Sequence, residues 1–275
     1  MSFTLNGPLV LAGAGKMGSA LLGGWLARGL EPSSIIVQEP AAGPEMQHLM
    51  RNRGVRCVEA IAKLDAPPAV IVVAVKPQSM DIAFPPLARF AGADTVVLSI
   101  AAGKSIASFE RHLPPNAAVV RAMPNTPAAI GRGITGAVAN AHVTASQKSD
   151  CDALLAAAGD VVWLKDEALI DAVTAVSGSG PAYVYFLVEC IAEAGVAAGL
   201  DAATAMALAR ATVSGSGELL HRSPEDAATL RANVTSPGGT TAAALEVLMR
   251  EEGGLKALMR EAVLAAKQRG RDLGR

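Results

Sequence analysis

"PLVLAGAGKMGSALLGG", Pro8–Gly24, decides the fold. A short apolar run, Pro8 to Ala12, stops at glycines, and a helical stretch from Lys16 to Arg28 follows. Gly13, Gly15 and Gly18 stand in G-x-G-x-x-G spacing. That spacing is a weak signal alone and gains meaning after a strand and at the head of a helix. There Gly13 permits the tight turn, Gly15 lets a pyrophosphate approach the backbone, and Gly18 lets helix and strand sit close. The helix N-terminus offers free N–H groups to phosphates. The competing reading is a purely structural glycine turn.

Working outward, further β-branched runs recur at Ser34–Glu39, Ala69–Val75, Thr95–Ile100 and Ala117–Met123, with a helical stretch at Glu45–Arg53 between the first two. Strands this apolar are buried on both faces, the mark of a parallel sheet covered by helices. Two more strand-like pieces follow at Gly133–Asn140 and Asp160–Leu164. Beyond about Lys165 the strands stop. Leu169–Leu200, Ala202–Arg222, Thr240–Arg250 and Leu255–Leu273 read as helices. The fold class is therefore α/β, a mostly parallel sheet followed by an all-helical half, with residues 1–165 as one domain and 166–275 as the other. The helical residues Pro181–Leu220 are apolar on nearly every face and sparse in charge. A helix apolar all round must be buried all round, so a second copy of the chain is expected to cover it.

Composition narrows the functions. With 24 Lys+Arg against 25 Asp+Glu and no basic block, nucleic acid is not an expected partner. No apolar stretch reaches the roughly 20 residues a membrane span needs, and no signal core follows the N-terminus. The cysteines, Cys57, Cys151 and Cys190, are odd in number and widely spaced. They make no metal-binding pattern and suit a reducing compartment; a cytoplasmic protein is expected. Glu39, at the end of the second strand, is where an acid hydrogen-bonds the adenosine ribose of NAD and repels the extra phosphate of NADP. It reads equally as a solvated loop carboxylate beside Pro40. None of the four histidines, His48, His112, His142 and His221, belongs to a catalytic motif. An alcohol or ketone dehydrogenase needs a positioned acid or base; a cyclic imine can arrive already protonated and accept hydride directly.

A second stretch, "NVTSPGGTTAAALEVL" from Asn233 to Leu248, spends many small or special residues on the start of one helix. Ser236 can cap the helix or donate a hydroxyl. Gly238 and Gly239 let several N–H groups turn the same way, and Thr240 and Thr241 add hydroxyls. Together they describe a pocket for a small carboxylate. The alternative is a helix that is merely well capped.

With these pieces assembled, the chain resembles the pyrroline-5-carboxylate reductases over nearly its whole length. The motifs are "AGAGKMGSALLGG", "VAVKPQ" (Val73–Gln78), "SIAAG" (Ser99–Gly103), "RAMPNTPA" (Arg121–Ala128), "DAVTAVSGSGPAYVY" (Asp171–Tyr185) and "NVTSPGGTT". The resemblance implies reduction of 1-pyrroline-5-carboxylate to L-proline by NAD(P)H, an N-terminal Rossmann domain, and a helical domain that forms a homodimer or a larger assembly of dimers. By the same resemblance, Ala12, Gly13, Ala14, Gly15, Lys16 and Met17 would hold the pyrophosphate. Ala74, Val75, Lys76, Pro77, Ile100, Ala101 and Ala102 would line the cofactor, with Asn125 and Thr126 near the nicotinamide. Glu167, Asn233, Ser236, Gly238, Gly239, Thr240 and Thr241 would form the proline pocket, the Thr241 hydroxyl bonding the ring nitrogen. Glu39 departs from the Ser or Thr that relatives often carry there, which would suit a 2′-phosphate.

Two other readings remain at this point. A β-hydroxyacid dehydrogenase shares the two-domain plan but would need a Lys on the helix after the Rossmann domain, and Gly178–Leu200 contains none. A non-catalytic dinucleotide sensor would keep the glycine turn without needing the Ser236–Thr241 pocket.

Overall fold

The computed structural model describes residues 4–274, the side chain of Glu45 excepted. Its strands are β1 (Leu9–Ala12), β2 (Ile35–Gln38), β3 (Arg56–Val58), β4 (Val70–Val73), β5 (Val96–Ser99), β6 (Ala118–Met123), β7 (Gly133–Ala139) and β8 (Gly159–Trp163). They form one sheet in the order β3-β2-β1-β4-β5-β6-β7-β8. Neighbours run parallel throughout, except that β7 lies antiparallel to β6, with Arg121 opposite Val138. The α/β, mostly parallel expectation holds. The unforeseen strand is β3, a three-residue edge strand that begins with an exposed Arg56 and so carries almost no apolar pattern.

Strand side chains alternate between two apolar layers. Leu9, Leu11, Val70, Val72 and Leu98 meet Leu21, Leu22 and Trp25 of helix α1 (Lys16–Ala27) on one face. Val10, Ile71, Val73 and Val97 meet Phe84, Leu87 and Phe109 on the other. Each such buried side chain contributes roughly 1.5–3 kcal/mol. Helix α2 is Pro44–Arg53; α3 (Met80–Ala83), α4 (Pro85–Ala88) and α5 (Ile106–Glu110) are short; α6 is Ala145–Ala156. Trp25 donates its indole N–H to the Leu154 carbonyl of α6 at 2.8 Å. The other tryptophan, Trp163 on β8, donates to Asp152 at 2.7 Å and lies under the Lys148 ammonium.

The expected unbroken helix from Leu169 to Leu200 is interrupted. It begins as α7 (Ile170–Val173), widens into a π-helical turn at Thr174–Gly178, and resumes as α8 (Gly180–Ala197). The stretch before the break belongs to the sheet: Ile170 is buried in it, and a Cβ on Gly136 of β7 would come within 2.7 Å of Val173. Contacts accordingly divide the chain after Gly178, not at the strand-to-helix change near Asp166, and the residues from Lys267 onward rejoin the first unit.

The second unit, Ser179–Ala266, is helical. After α8 come α9 (Ala202–Arg222), α10 (Ala227–Asn233), α11 (Thr240–Leu248) and α12 (Leu255–Leu273), whose end crosses into the first unit. The carboxylate of Asp201 caps α9 through the Thr204 N–H, and that of Asp226 caps α10 through the Thr229 N–H. The Thr204 side chain, then its N–H, lowers the Asp201 carboxyl below its ordinary value, and the Thr229 N–H, then its side chain, does the same for Asp226. Helices α8 and α9 meet through small residues: Ala192, Ala205 and Ala209 are the buried hydrophobic side chains here. The large ones are exposed in the single chain, Tyr185 to 60%, Phe186 to 63% and Leu219 to 58%.

Candidate active site

The sheet order turns outward in both directions from the β1–β4 pair, and in such sheets ligands bind beyond the carboxyl ends of the strands at that switch point. Strand register brings the expected cofactor residues side by side there. Ala12 pairs with Gln38 on one flank and Val73 on the other, and Val73 pairs with Ser99. The segments leaving these strands therefore carry Gly13–Met17, Glu39, Ala74–Pro77 and Ile100–Ala102 as one row. Asn125 and Thr126 follow β6 at its next place. Ala12, Ile100 and Ala101 have buried side chains, so their groups open to a ligand are backbone atoms.

The three glycines act differently. Gly13 takes φ +90°, and a Cβ on it would lie 2.7 Å from the Ala74 carbonyl. A Cβ on Gly18 would collide with the Gly13 carbonyl oxygen. Gly15 has ordinary extended angles, φ −67° and ψ −169°, and no atom within 4 Å of a Cβ built on it. The space above it is open, and Gly15 is the N-cap of α1 without a side-chain cap. That geometry fits a pyrophosphate over the free N–H groups of the first turn. Glu39 completes the wall. Its carboxylate accepts the Ala14 N–H at 2.8 Å and the Ala41 N–H at 3.0 Å.

In the second unit, Asn233 ends α10 and Thr240 begins α11. Gly238 takes φ +67°, and the Gly239 N–H returns to the Ser236 carbonyl at 3.0 Å. Ser236 does not cap the helix. Gly239 occupies the N-cap position, and no side chain caps α11. The turn closes on the Ser236 carbonyl, with Gly238 in the left-handed region, and the Ser236 hydroxyl makes no cap bond. A helix start left without a side-chain cap can bind an anion through its first N–H groups. Asn233 is held by Glu225, whose carboxylate accepts its amide N–H at 3.1 Å.

Back in the first unit, Glu167 and Asn125 are both tied to neighbours. One Glu167 oxygen, Oε1, accepts from Arg121 Nη1 at 2.7 Å and from the Ile106 N–H at 2.8 Å. Asn125 is buried; its Oδ1 accepts the Ile134 N–H at 2.9 Å and its Nδ2 donates to the Ser177 carbonyl in the π-turn at 3.2 Å. Reasoning from sequence singled out neither Arg121 nor Glu225. Arg121 stands in a motif, but its partner is far along the chain and no local spacing marks the pair.

Comparison with known proteins decides the family. The chain is 40% identical over 265 residues to the pyrroline-5-carboxylate reductase of Pseudomonas aeruginosa, covering 96% of each, and 41% identical over 268 residues to that of Synechocystis, covering 97% and 98%. It belongs to the pyrroline-5-carboxylate reductase family. The family model for pyrroline-5-carboxylate reductase dimerisation matches residues 167–273, and that for coenzyme F420-dependent NADP oxidoreductases matches 9–103. The fold agrees with a pyrroline-5-carboxylate reductase from Coxiella burnetii at TM-score 0.90 and 32% identity, covering 98% of this chain and 99% of that one. It agrees with the Plasmodium falciparum pyrroline carboxylate reductase, a structure with NADP bound, at TM-score 0.80 and 28% identity, covering 99% and 100%.

Proposed function

We propose that this chain transfers hydride from NAD(P)H to the C=N bond of 1-pyrroline-5-carboxylate, giving L-proline, the last step of proline biosynthesis. The observation that carries the reading is the full-length likeness to curated reductases of that name, across both units. Local geometry supports it: a glycine turn open above Gly15, and a helix start at Thr240 with no side-chain cap.

When bound, the nicotinamide supplies the hydride. The chain's own part is binding and orientation. Ala12, Gly13, Ala14, Gly15, Lys16 and Met17 would hold the pyrophosphate; Glu39, Ala74–Pro77, Ile100–Ala102, Asn125 and Thr126 would line the rest. The N–H groups of the first turn of α11 take the substrate carboxylate, with Ser236, Gly238 and Gly239 shaping the turn. The Thr241 hydroxyl hydrogen-bonds the ring nitrogen, and Glu167 and Asn233 complete the set. A ring nitrogen that arrives protonated makes the neighbouring carbon electrophilic, so no histidine acid is required. As functional regions rather than compact units, residues 1–165 serve the dinucleotide, and 166–275 serve the substrate and association into a homodimer. The free, scattered cysteines fit the cytoplasm. No helix among the described residues is long and apolar enough to cross a membrane.

Following NAD(P)H absorbance with the cyclic imine tests the proposal directly. Loss of absorbance matched by proline formation is expected. Dinucleotide binding without turnover would favour a sensor. Turnover of β-hydroxyacids instead would favour a dehydrogenase, against the absence of Lys from Gly180 to Ala197.

A further inference from the structure

Arg121 lies on β6, in the middle of the sheet, with its side chain 11% exposed. A guanidinium so placed loses much of its hydration and must be paired. Its partner is Glu167, 46 residues further on, and the pair is short, 2.7 Å from Nη1 to Oε1. The same oxygen also takes the N–H of Ile106, the first residue of α5. Two donors thus converge on Oε1, while the Glu167 side chain remains 30% exposed. A planar guanidinium and a fixed backbone N–H on one oxygen leave a carboxylate little freedom to rotate. The oxygen turned away from both donors is Oε2.

We propose that Arg121 is a positioning residue for the reaction: it anchors Glu167 through Oε1 so that the anionic Oε2 stands ready as a fixed counter-charge to the cationic ring nitrogen, whose one N–H goes to the Thr241 hydroxyl. The inference rests on the reading that places Glu167 among the substrate residues. An anionic oxygen held in place favours the iminium over the neutral imine and disfavours rotamers that would withdraw it. Without Arg121 the carboxylate keeps one donor, Ile106 N–H, and swings about it.

Kinetics on four variants test this: Glu167→Gln, Arg121→Met, Arg121→Lys and the double variant Arg121→Met/Glu167→Gln. Gln keeps a carbonyl for the two donors but puts an N–H group where Oε2 stood. Glu167→Gln should lower kcat/KM for the imine by about tenfold or more while leaving the dinucleotide KM unchanged. Arg121→Met should show the same split, and Arg121→Lys should recover part of the loss. In the Glu167→Gln background, Arg121→Met should cost less than about threefold, because coupled residues are not additive. If Glu167→Gln leaves kcat/KM for the imine intact, the reading of Glu167 as a substrate residue fails. If Glu167→Gln is impaired but Arg121→Met costs as much in that background as in the parent enzyme, the substrate reading stands and the positioning role is overturned. Should Arg121→Met not fold, Arg121→Lys in both backgrounds decides by the same comparison.

Discussion

The Glu39 carboxylate accepts the N–H of Ala14, 25 residues earlier, at 2.8 Å, so the acid at the end of β2 is bonded into the glycine turn itself. It is not a free loop carboxylate. A 2′-phosphate arriving there meets a fixed negative charge, whereas ribose hydroxyls meet an acceptor with lone pairs to spare. The enzyme should therefore favour NADH in kcat/KM. Glu39→Ser should move the ratio toward NADPH by roughly tenfold, about 1.4 kcal/mol of differential binding. A parent enzyme that already prefers NADPH severalfold would show that other residues receive the phosphate.

Gly15 and Gly18 should fail in opposite ways. Gly15→Ala meets open space and an ordinary φ, so the thermal midpoint should hold or rise slightly, since Ala restricts the unfolded chain. Dinucleotide affinity, measured by titration, should fall because the methyl group fills the space proposed for the pyrophosphate. Gly18→Ala drives a methyl into the Gly13 carbonyl and should cost about 1–3 kcal/mol of stability. Equal melting curves for the two variants would refute this division of labour.

Thr241 stands half-buried on the first turn of α11. Thr241→Ala should lower turnover more than it weakens dinucleotide binding. One lost hydrogen bond is worth roughly 0.5–1.5 kcal/mol, or more to a charged group, which is a loss of about twofold to tenfold. A matching loss of NAD(P)H affinity in the same variant would argue against a role at the ring nitrogen.

No histidine should matter much to the chemistry. His48 bonds Asn52 on the next turn of α2, and the His112 ring sits edge-on to Phe84. Replacing each of the four by Gln should leave turnover within about tenfold, below the roughly 10²–10⁴ a general acid supplies. A hundredfold loss in a well-folded variant would require a proton donor that the proposed mechanism lacks.

The helical unit predicts its own association. Its α8–α9 seam is built from alanines while Tyr185, Phe186 and Leu219 stay exposed in the single chain. Isolated helices with so little enclosed core need another surface, and a second copy offers the same apolar helices in return. Sedimentation at low micromolar concentration should show no monomer. A stable and active monomer there would contradict it.

What the sequence reveals here is what neighbours along the chain decide. The apolar strands and the Gly13–Gly15–Gly18 turn are legible because each depends on a few consecutive residues. β3 is hidden because an edge strand of three residues has no alternation to display. The break at Thr174–Gly178 is hidden for another reason: its local sequence is helical, and what accompanies the widened turn is remote, Val173 against Gly136 and the Ser177 carbonyl on Asn125. Arg121 and Glu167 escape for the same cause, since their pairing exists only once β6 and the residues before α7 are side by side. Ser236 was readable as a cap, yet the tight turn through Gly238 and Gly239 gives that place to a glycine.

The two tryptophans, Trp25 and Trp163, both lie in the first unit, while the two tyrosines, Tyr183 and Tyr185, lie in the second. Intrinsic fluorescence is thereby divided between them. Tryptophan emission excited at the red edge reports the sheet and its covering helices. Tyrosine emission comes only from α8. A melt recorded in the two channels, beside far-ultraviolet circular dichroism, therefore shows whether the units let go together or in turn, with no label attached.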